Sequence, residues 1–340
     1  MRKLYGFEKM QENMLNSFKN GKLHHCYMLN GLKGIGKSCF LHNLANVILS
    51  ARDGGKEPTD LDIERTGRLI SGGGHTDLVT LNMITPEEDG SENTSKREEI
   101  NVGQVRKVIL DLKLTQSISK NKLMIVDSID SVNVNGQNAL LKTLEEPSPN
   151  TYIFLVCHNL HRVLYTVKSR CILVNIPDPT FENWSLALKE VSAGTSGNNR
   201  QELESLYSLS GHSIGLALEI INNKAQNVYG ELVNSIAGGD PLEIQKFAEH
   251  ISSSNLFNLF GIFMDKFFGE ILDHHKNGLL TSDRENSSAV AIFLRKNSLE
   301  KTIKKYDYSR KMINDLGVYS LDKKHCLTVL LQKMSSNEEP

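Results

Sequence analysis

The residues best suited to chemistry form a glycine-rich loop near the start of the chain. Residues 31–38 read GLKGIGKS and match G-x-x-x-x-G-K-[ST] without a mismatch. Glycines let successive backbone N–H groups turn inward around an anion, at the start of a helix whose dipole adds positive potential. Lys37 would reach the β- and γ-phosphates of a nucleotide, and the Ser38 hydroxyl would bind Mg²⁺. The loop therefore predicts a nucleotide site formed by Gly31, Gly34, Ile35, Gly36, Lys37, Ser38 and Cys39.

A second candidate for this site is Asp127, which ends the apolar run from Leu123 to Val126. In P-loop proteins a carboxylate at the end of such a strand also binds Mg²⁺. A carboxylate that only takes turn hydrogen bonds is the alternative. At the position of the next residue, Ser128, P-loop proteins that hydrolyse their nucleotide carry a glutamate. That glutamate activates the attacking water, and a serine cannot act as such a base near neutral pH. We therefore expect bound ATP with Mg²⁺ but weak or absent turnover.

Alternating apolar runs and helical spacings place these residues in the first half of the chain. Strands are predicted at 26–29, 77–81, 122–127, 151–156 and 172–176, and helices at 37–50, 102–114 and 135–145. Continuous apolar strands separated by helices are typical of a parallel sheet that is buried on both faces. Ligands of such sheets bind at the carboxyl ends of the strands.

Composition excludes several other classes of protein. No apolar run approaches the roughly 18 residues that a membrane span needs, and the polar start of the chain argues against secretion. Five scattered cysteines without a CxxC pair predict neither a disulfide framework nor a zinc site, which favours a reducing cytoplasm. The net charge of −1 predicts weak DNA binding by the chain alone.

Two stretches interrupt the alternating pattern and are interpreted as solvated loops, residues 51–76 and the acidic residues 84–99. Residues 51–100 hold 12 acidic and 6 basic side chains, whereas residues 1–50 hold 2 and 7. After residue 176 helical spacings take over, with breaks at 194–199 and 238–241. We expect an α/β domain at 1–176, a small helical lid domain at 177–238 and an all-helical domain at 239–340. An aromatic stripe over residues 257–268 predicts a bundle core in the last domain.

Two further motifs carry a family resemblance. The run NALLKTLEEP at 138–147 and Ser169-Arg170-Cys171 are rare in combination, and they follow His24-His25, the phosphate loop and Asp127 in that order. Over about residues 1–220 the chain resembles the AAA+ clamp-loader subunits of the bacterial replicative DNA polymerase. The resemblance implies a P-loop AAA+ domain, a lid and a C-terminal collar-type domain. It also implies a hetero-oligomeric ring with other loader subunits that acts on a sliding clamp and primer–template DNA.

The resemblance also implies roles for single residues. Arg170 matches the arginine that reaches into a neighbouring subunit's ATP site, where a guanidinium stabilises charge on the departing phosphoryl group. Asn159, in the segment Cys157-His158-Asn159, falls where AAA+ proteins place a polar residue near the γ-phosphate. A turn residue at a strand end is an equally good interpretation of Asn159.

Three departures from the family pattern shape the expected activity. Ser128 replaces the hydrolytic glutamate, and Gly215 stands where motor subunits carry a nucleotide-sensing arginine. Residues 51–76 hold no cysteine, so the family's zinc module is not expected. A subunit that assists its neighbours fits these departures best. The alternatives are an ATP-hydrolysing motor subunit, which the intact loop favours, and a small-molecule phosphotransferase, which would need a lid that the sequence lacks.

Overall fold

The computed structural model describes residues 4–51, 58–84, 99–114, 116–192, 199–254, 256–277, 284–318 and 322–336. The chain divides into two compact units, Met1–Leu216 and Ala217–Pro340. The expected division into three domains, at 1–176, 177–238 and 239–340, stays a prediction. Within the described segments, no helix is both long and apolar enough to cross a lipid bilayer.

The first unit alternates helices and strands. Its elements are α1 (Glu8–Lys19), β1 (Cys26–Asn30), α2 (Lys37–Leu49), α3 (Asp60–Ser71), β2 (Leu78–Leu81), α4 (Val102–Lys113), β3 (Lys122–Asp127), α5 (Val134–Glu145), β4 (Thr151–Cys157), α6 (Tyr165–Lys168), β5 (Ile172–Asn175), α7 (Phe181–Val191) and α8 (Arg200–Leu209). The strands pair in parallel in the order β2-β3-β4-β1-β5. The predicted parallel sheet, with its strands and helices, is confirmed to within two residues at each end.

Helices cover both faces of the sheet at β3, and alternate residues of this strand point to opposite sides. Met124 and Val126 pack with α4 and α5 in one apolar cluster. Leu123 and Ile125 pack with α1 and α2 in the cluster on the other face. The near-continuous apolar composition of β3 follows from this double burial.

The interpretation of residues 51–76 as a loop is wrong, because α3 occupies residues 60–71 of that stretch. Thr59 and Asp62 form a capping box, in which the Thr59 backbone N–H donates to Asp62 Oδ2 at 2.9 Å. This spacing of a threonine and an acidic residue is a known signal for a helix start. The glycines at 72–74 follow the helix and do not interrupt it. Residues 85–98 of the predicted acidic loop lie outside the described residues.

The second unit is helical. Helix α9 (Ile214–Asn222) spans the division and precedes α10 (Val228–Gly238), α11 (Pro241–Ser253), α12 (Phe257–Asn277), α13 (Arg284–Lys296), α14 (Leu299–Val318) and α15 (Lys323–Ser335). The aromatic stripe of α12 is confirmed as bundle core, because Phe260, Phe263, Phe267 and Phe268 are fully buried. The Phe267 ring meets Phe293 of α13 edge to face at 5.2 Å.

Candidate functional site

The phosphate loop lies where the topology of the sheet favours a ligand. It follows β1, which pairs with β4 on one side and β5 on the other. The Gly31 N–H donates to Cys157 O at 3.3 Å, so the loop leaves the sheet beside the carboxyl end of β4. Connections from adjacent strands diverge to opposite faces at such a point and leave a crevice for a ligand.

Two glycines give the loop its shape. Gly34 and Gly36 have φ angles of +81° and +99°, which residues with a side chain rarely adopt. Gly34 is also closely packed, since a Cβ there would lie 2.3 Å from Ser213 Oγ. The Gly215 N–H donates to Gly34 O at 2.9 Å. The backbone of Gly215 therefore contacts the loop. In motor subunits of the clamp-loader family that the sequence resembles, this position carries an arginine.

Helix α2 begins inside this loop. Gly36 occupies its N-cap position and offers no side chain to the first N–H groups, which leaves them available to an anion. Ile35 is buried beneath the loop, whereas Cys39 is exposed on the first turn. Ser38 stands one residue after Lys37, with its side chain partly exposed. The loop thus provides the backbone arrangement that a phosphate group requires.

Lys37 is only 2% exposed and lies within the loop itself. Its ammonium donates to Gly31 O at 2.6 Å and to Leu32 O at 2.5 Å. Burial lowers the pKa of Lys37 to about 8, while Cys157, Asp127 and Asp130 act in the opposite direction. Because its partners are neutral carbonyls, the charge of Lys37 is incompletely compensated, and an anionic phosphate would be a better partner.

The end of β3 supplies carboxylates but not the base that hydrolysis needs. Asp127 is half-buried at the last position of the strand. Ser128 is buried, and its hydroxyl lies 2.9 Å from Ser131 Oγ. Asp130 Oδ1 accepts a hydrogen bond from the His158 backbone N–H at 3.0 Å, which commits this carboxylate to the end of β4. The role predicted for Asp127, which is to bind Mg²⁺ together with Ser38, stays a prediction.

The end of β4 offers two polar residues with different surroundings. Asn159 is exposed, and its side-chain oxygen accepts from the His161 N–H at 3.0 Å in a short turn. Burial and then the charge of Lys37 lower the pKa of His158, while Asp130 and Asp127 raise it. His158 Nδ1 is buried and has no hydrogen-bond partner among the described residues. The role predicted for Asn159 stays a prediction. Of the two residues, His158 is the one whose surroundings include the charge of Lys37.

Arg170 lies just before β5, with its side chain 32% exposed. Its Nε donates to Glu145 Oε1 at 2.8 Å, and Nη2 contacts the same oxygen. Nη1 donates to Thr166 O at 2.8 Å and Ser169 Oγ at 3.1 Å. Glu145 is the last residue of α5 and is 47% exposed. An ion pair this exposed contributes about 1 kcal/mol or less, so Arg170 could exchange Glu145 for another anion at little cost.

Arg170 and the phosphate loop lie at opposite ends of the strands. Tyr27 pairs with Ile172, which sets Arg170 beside the amino end of β1, while the loop leaves the carboxyl end. The five residues of β1 span about 16 Å at roughly 3.3 Å per residue. This separation prevents Arg170 from reaching a nucleotide in the chain's own loop.

Helix α5 connects the two ends, and two of its residues were not predicted from the sequence. Gln137 is buried and donates to Val132 O at 2.9 Å and to Arg162 O at 3.0 Å. It also accepts from the Leu164 N–H at 2.8 Å, so it holds the segment that leads to α6. The second is Glu145, the partner of Arg170, which lies within the LEEP run that carries the family resemblance. Its fixed spacing in that run was the available signal.

Possible metal ligands are few in the part of the chain that the structure describes. No group of three or more His, Cys, Asp or Glu side chains there could hold a metal ion. A nucleotide-bound Mg²⁺ does not require such a group, because the nucleotide and water supply most of its ligands. Ser38 and Asp127 fit that need. The expectation that the chain lacks a zinc module stays a prediction.

Comparisons with known proteins agree with this geometry. The family model described as DNA polymerase III, delta subunit matches residues 6–180. The delta-prime subunit of DNA polymerase III from Pseudomonas aeruginosa is 30% identical over 269 residues, which are 76% of each chain. A DNA polymerase III gamma subunit from Buchnera aphidicola subsp. Schizaphis graminum is 26% identical over 65% of this chain and 56% of its own.

A solved DNA polymerase III gamma subunit-related protein from Thermotoga maritima is 16% identical, with a TM-score of 0.42 over 95% of this chain and 98% of its own. The Pseudomonas and Buchnera subunits and the family model are all described as DNA polymerase III subunits. In this chain the phosphate loop, the LEEP run and the Ser-Arg-Cys motif follow one another in that order, and they are carried by a parallel sheet of the AAA+ type. The chain belongs to the DNA polymerase III delta subunit family and is a delta-prime-like clamp-loader subunit.

Proposed function

We propose that this chain assists ATP hydrolysis by a neighbouring subunit and performs little of its own. In this proposal it joins gamma- or tau-type and delta-type subunits in a hetero-oligomeric ring in the bacterial cytoplasm. The ring loads the sliding clamp onto primer–template DNA during replication, and Arg170 of this chain contacts the ATP held next door. The observation that carries the proposal is the place of Arg170, partly exposed and about 16 Å along β1 from the chain's own phosphate loop.

The chemistry of Arg170 suits that task. A guanidinium stays charged at all physiological pH values and can donate two parallel hydrogen bonds to phosphate oxygens. Its present partner, Glu145, is an exposed carboxylate that shows the side chain already extended toward an anion. In the ring, the phosphate oxygens of the neighbour's nucleotide would take the place of Glu145.

The chain's own loop suits binding better than turnover. The uncapped start of α2, Gly34, Gly36 and Lys37 would hold the phosphates, with Ser38 and Asp127 on Mg²⁺. Hydrolysis would also need a base where Ser128 stands, and the Ser128 hydroxyl is engaged with Ser131. The contact between Gly215 and Gly34 leaves no side chain there to respond to the γ-phosphate. We therefore expect ATP to act as a bound ligand in this subunit.

The decisive experiment replaces Arg170 in a loader reconstituted from its separate subunits. We expect Arg170→Ala to lower DNA-stimulated ATP turnover by about a thousandfold at the affected site, which is the lower end of the 10³–10⁵ that arginine fingers contribute in P-loop enzymes. Arg162→Ala is the matched control, because Arg162 is an exposed arginine on the preceding turn. Gel filtration of both variants checks assembly. Unchanged turnover in an assembled Arg170→Ala ring would disprove the proposed role.

A second candidate is a motor subunit that hydrolyses ATP itself, which the complete loop from Gly31 to Ser38 favours. ATPase measurement on the purified chain separates the two. Turnover near 1 per second, in the range of working enzymes, that disappears in Lys37→Ala would establish the motor function. Turnover far below that value supports the assisting function.

A further inference from the structure

The two thiols nearest Arg170 lie close together. Cys26 begins β1, and Cys171 directly follows Arg170 at the approach to β5. Cys26 Sγ donates to Cys171 Sγ at 2.9 Å. Cys26 is fully buried, whereas Cys171 is half-buried and lines a surface pocket of about 350 Å³ together with His24, His25, Glu145 and Arg170. One thiol of the pair is therefore accessible from solvent and the other only through its partner.

The backbone register brings these cysteines face to face. Because Tyr27 pairs with Ile172 in the parallel ladder, the preceding residues on the two chains, Cys26 and Cys171, lie opposite each other. Neighbouring strands are about 4.8 Å apart, which falls within the roughly 4.4–6.8 Å between Cα atoms in disulfides. The sulfur atoms need to approach by only about 0.9 Å to reach a disulfide bond length of about 2.04 Å. Small side-chain rotations can provide that movement.

We propose that Cys26 and Cys171 form a reversible disulfide when the protein meets a hydroperoxide. The Cys171 thiol first reacts with the hydroperoxide, which is reduced to an alcohol or water, and becomes a sulfenic acid. The Cys26 sulfur then attacks the Cys171 sulfur. An S–S bond forms, the S–O bond breaks, and the leaving hydroxide departs as water with the proton from Cys26. Two thiols lose two electrons in total, and a dithiol reductant restores them.

The order of attack follows from the surroundings of each sulfur. Cys171 opens to the pocket, so its sulfur is the one that a hydroperoxide can reach from solvent. The hydrogen bond with Cys171 and then burial raise the pKa of Cys26 well above its usual range. Cys26 therefore stays a protected thiol until a sulfenic acid forms beside it. Disulfides in reducing compartments are mostly transient and redox-sensing, which suits a bond that opens again.

The bond would act on the segment that carries Arg170. It would tether the residue after Arg170 to β1 and restrict the turn between α6 and β5. In a ring that works as proposed above, this would reduce the freedom of Arg170 to leave Glu145 and reach a neighbour. The consequence for turnover rests on the proposed function, whereas formation of the disulfide does not.

Peptide mass spectrometry on the purified full chain tests the bond directly. After brief exposure to hydrogen peroxide, alkylation and trypsin, we expect residues 23–33 linked to residues 171–189 in most molecules, and the link should disappear with dithiothreitol. Cys39→Ala keeps the link and is the matched control, because Cys39 is an exposed thiol on the first turn of α2, whereas Cys26 lies at the opposite end of β1. Cys26→Ala should instead accumulate a Cys171 sulfenic acid that dimedone traps. If Cys26 of the wild-type chain still reacts with the alkylating agent after peroxide treatment, the proposal is overturned.

A second measurement tests the link to Arg170. The chain is oxidised alone, freed of peroxide and then assembled with untreated subunits. We expect DNA-stimulated ATP turnover to fall at least threefold and to recover with reductant, while Cys26→Ala chain treated in the same way keeps its turnover. A cross-linked chain with full turnover would overturn the effect on Arg170. If Arg170→Ala also has full turnover, the proposed function fails, and the peptide measurement on the isolated chain still decides the disulfide.

Discussion

The two ends of the sheet in the first unit hold their cations in opposite ways. At the carboxyl end, Lys37 is 2% exposed and donates to carbonyls of its own loop. At the amino end, Arg170 is 32% exposed and pairs with an exposed carboxylate. A buried cation with neutral partners suits a ligand that enters the loop. An accessible guanidinium on a replaceable partner suits an anion brought by another molecule.

Helix α5 lies between these ends and contributes to both. Near its start, Gln137 fixes the segment after β4 through two hydrogen bonds and donates a third to Val132 O, and at its end Glu145 holds Arg170. A buried amide with all its bonds satisfied is rigid, because each broken bond would leave an unpaired polar group. The exposed pair at the other end is easily exchanged. Predictions that separate binding in the loop from the use of Arg170 therefore test this comparison most directly.

The largest expected effect comes from removing the buried cation. Lys37→Ala should weaken ATP binding to the isolated chain by about a hundredfold, because charged hydrogen bonds to phosphate contribute about 1.5–3 kcal/mol each. The exposed Lys33 in the same loop provides the matched control, Lys33→Ala. Binding of a fluorescent ATP analogue gives both constants. A reconstituted loader with Lys37→Ala should keep its ATP turnover within about twofold, in contrast to Arg170→Ala. An equal loss of turnover in the two variants would contradict the distinction between the two ends of the sheet.

A smaller effect is expected from pH. Burial lowers the pKa of Lys37 to about 8, so the ammonium is mostly present at pH 7 and mostly lost at pH 9. Phosphate binds the ammonium form, and affinity for the ATP analogue should therefore fall by about tenfold between these pH values. Titration at intermediate pH should locate the midpoint near 8. Lys37→Ala removes the titrating group, so its affinity for the ATP analogue should no longer depend on pH in this range. If Lys37→Ala keeps the pH dependence, another group causes it.

The end of β4 should give a smaller effect that distinguishes two neighbours. His158→Ala should weaken binding of the ATP analogue by about fivefold, because one neutral hydrogen bond contributes about 1 kcal/mol. Asn159→Ala should leave affinity nearly unchanged, since its side chain is used in the turn with His161. The reverse ranking of the two variants would favour the role that the family resemblance implies for Asn159.

The smallest effect is expected at the partner of Arg170. Glu145→Gln keeps the size of the side chain but removes its charge, which should free Arg170 from an ion pair of about 1 kcal/mol or less. In the reconstituted loader we expect turnover to rise by up to about threefold at low nucleotide concentration. Glu146→Gln, at the exposed adjacent position, is the control. A large fall in turnover would show that Glu145 supports Arg170 in the assembled state.

Local patterns in the sequence determined the elements and the loop. The GLKGIGKS segment specifies a phosphate loop because its glycines adopt positive φ angles, and the apolar runs specify buried strands. Helix α3 could also have been found from its capping box, since this signal lies within four consecutive residues. The aromatic spacing of α12 likewise predicted its burial, because residues three and four apart share one face of a helix.

Contacts between residues distant in the sequence were decided only by the tertiary structure. The order of strands brings Cys26 opposite Cys171 and separates Arg170 from the loop by the length of β1, and no local pattern encodes that order. The packing of Gly215 on Gly34 depends in the same way on how distant segments meet. So do the different surroundings of His158 and Asn159 at the end of β4. Spacing along the chain specifies which residue types are available, whereas distance and burial, which decide their chemistry, arise when the sheet assembles.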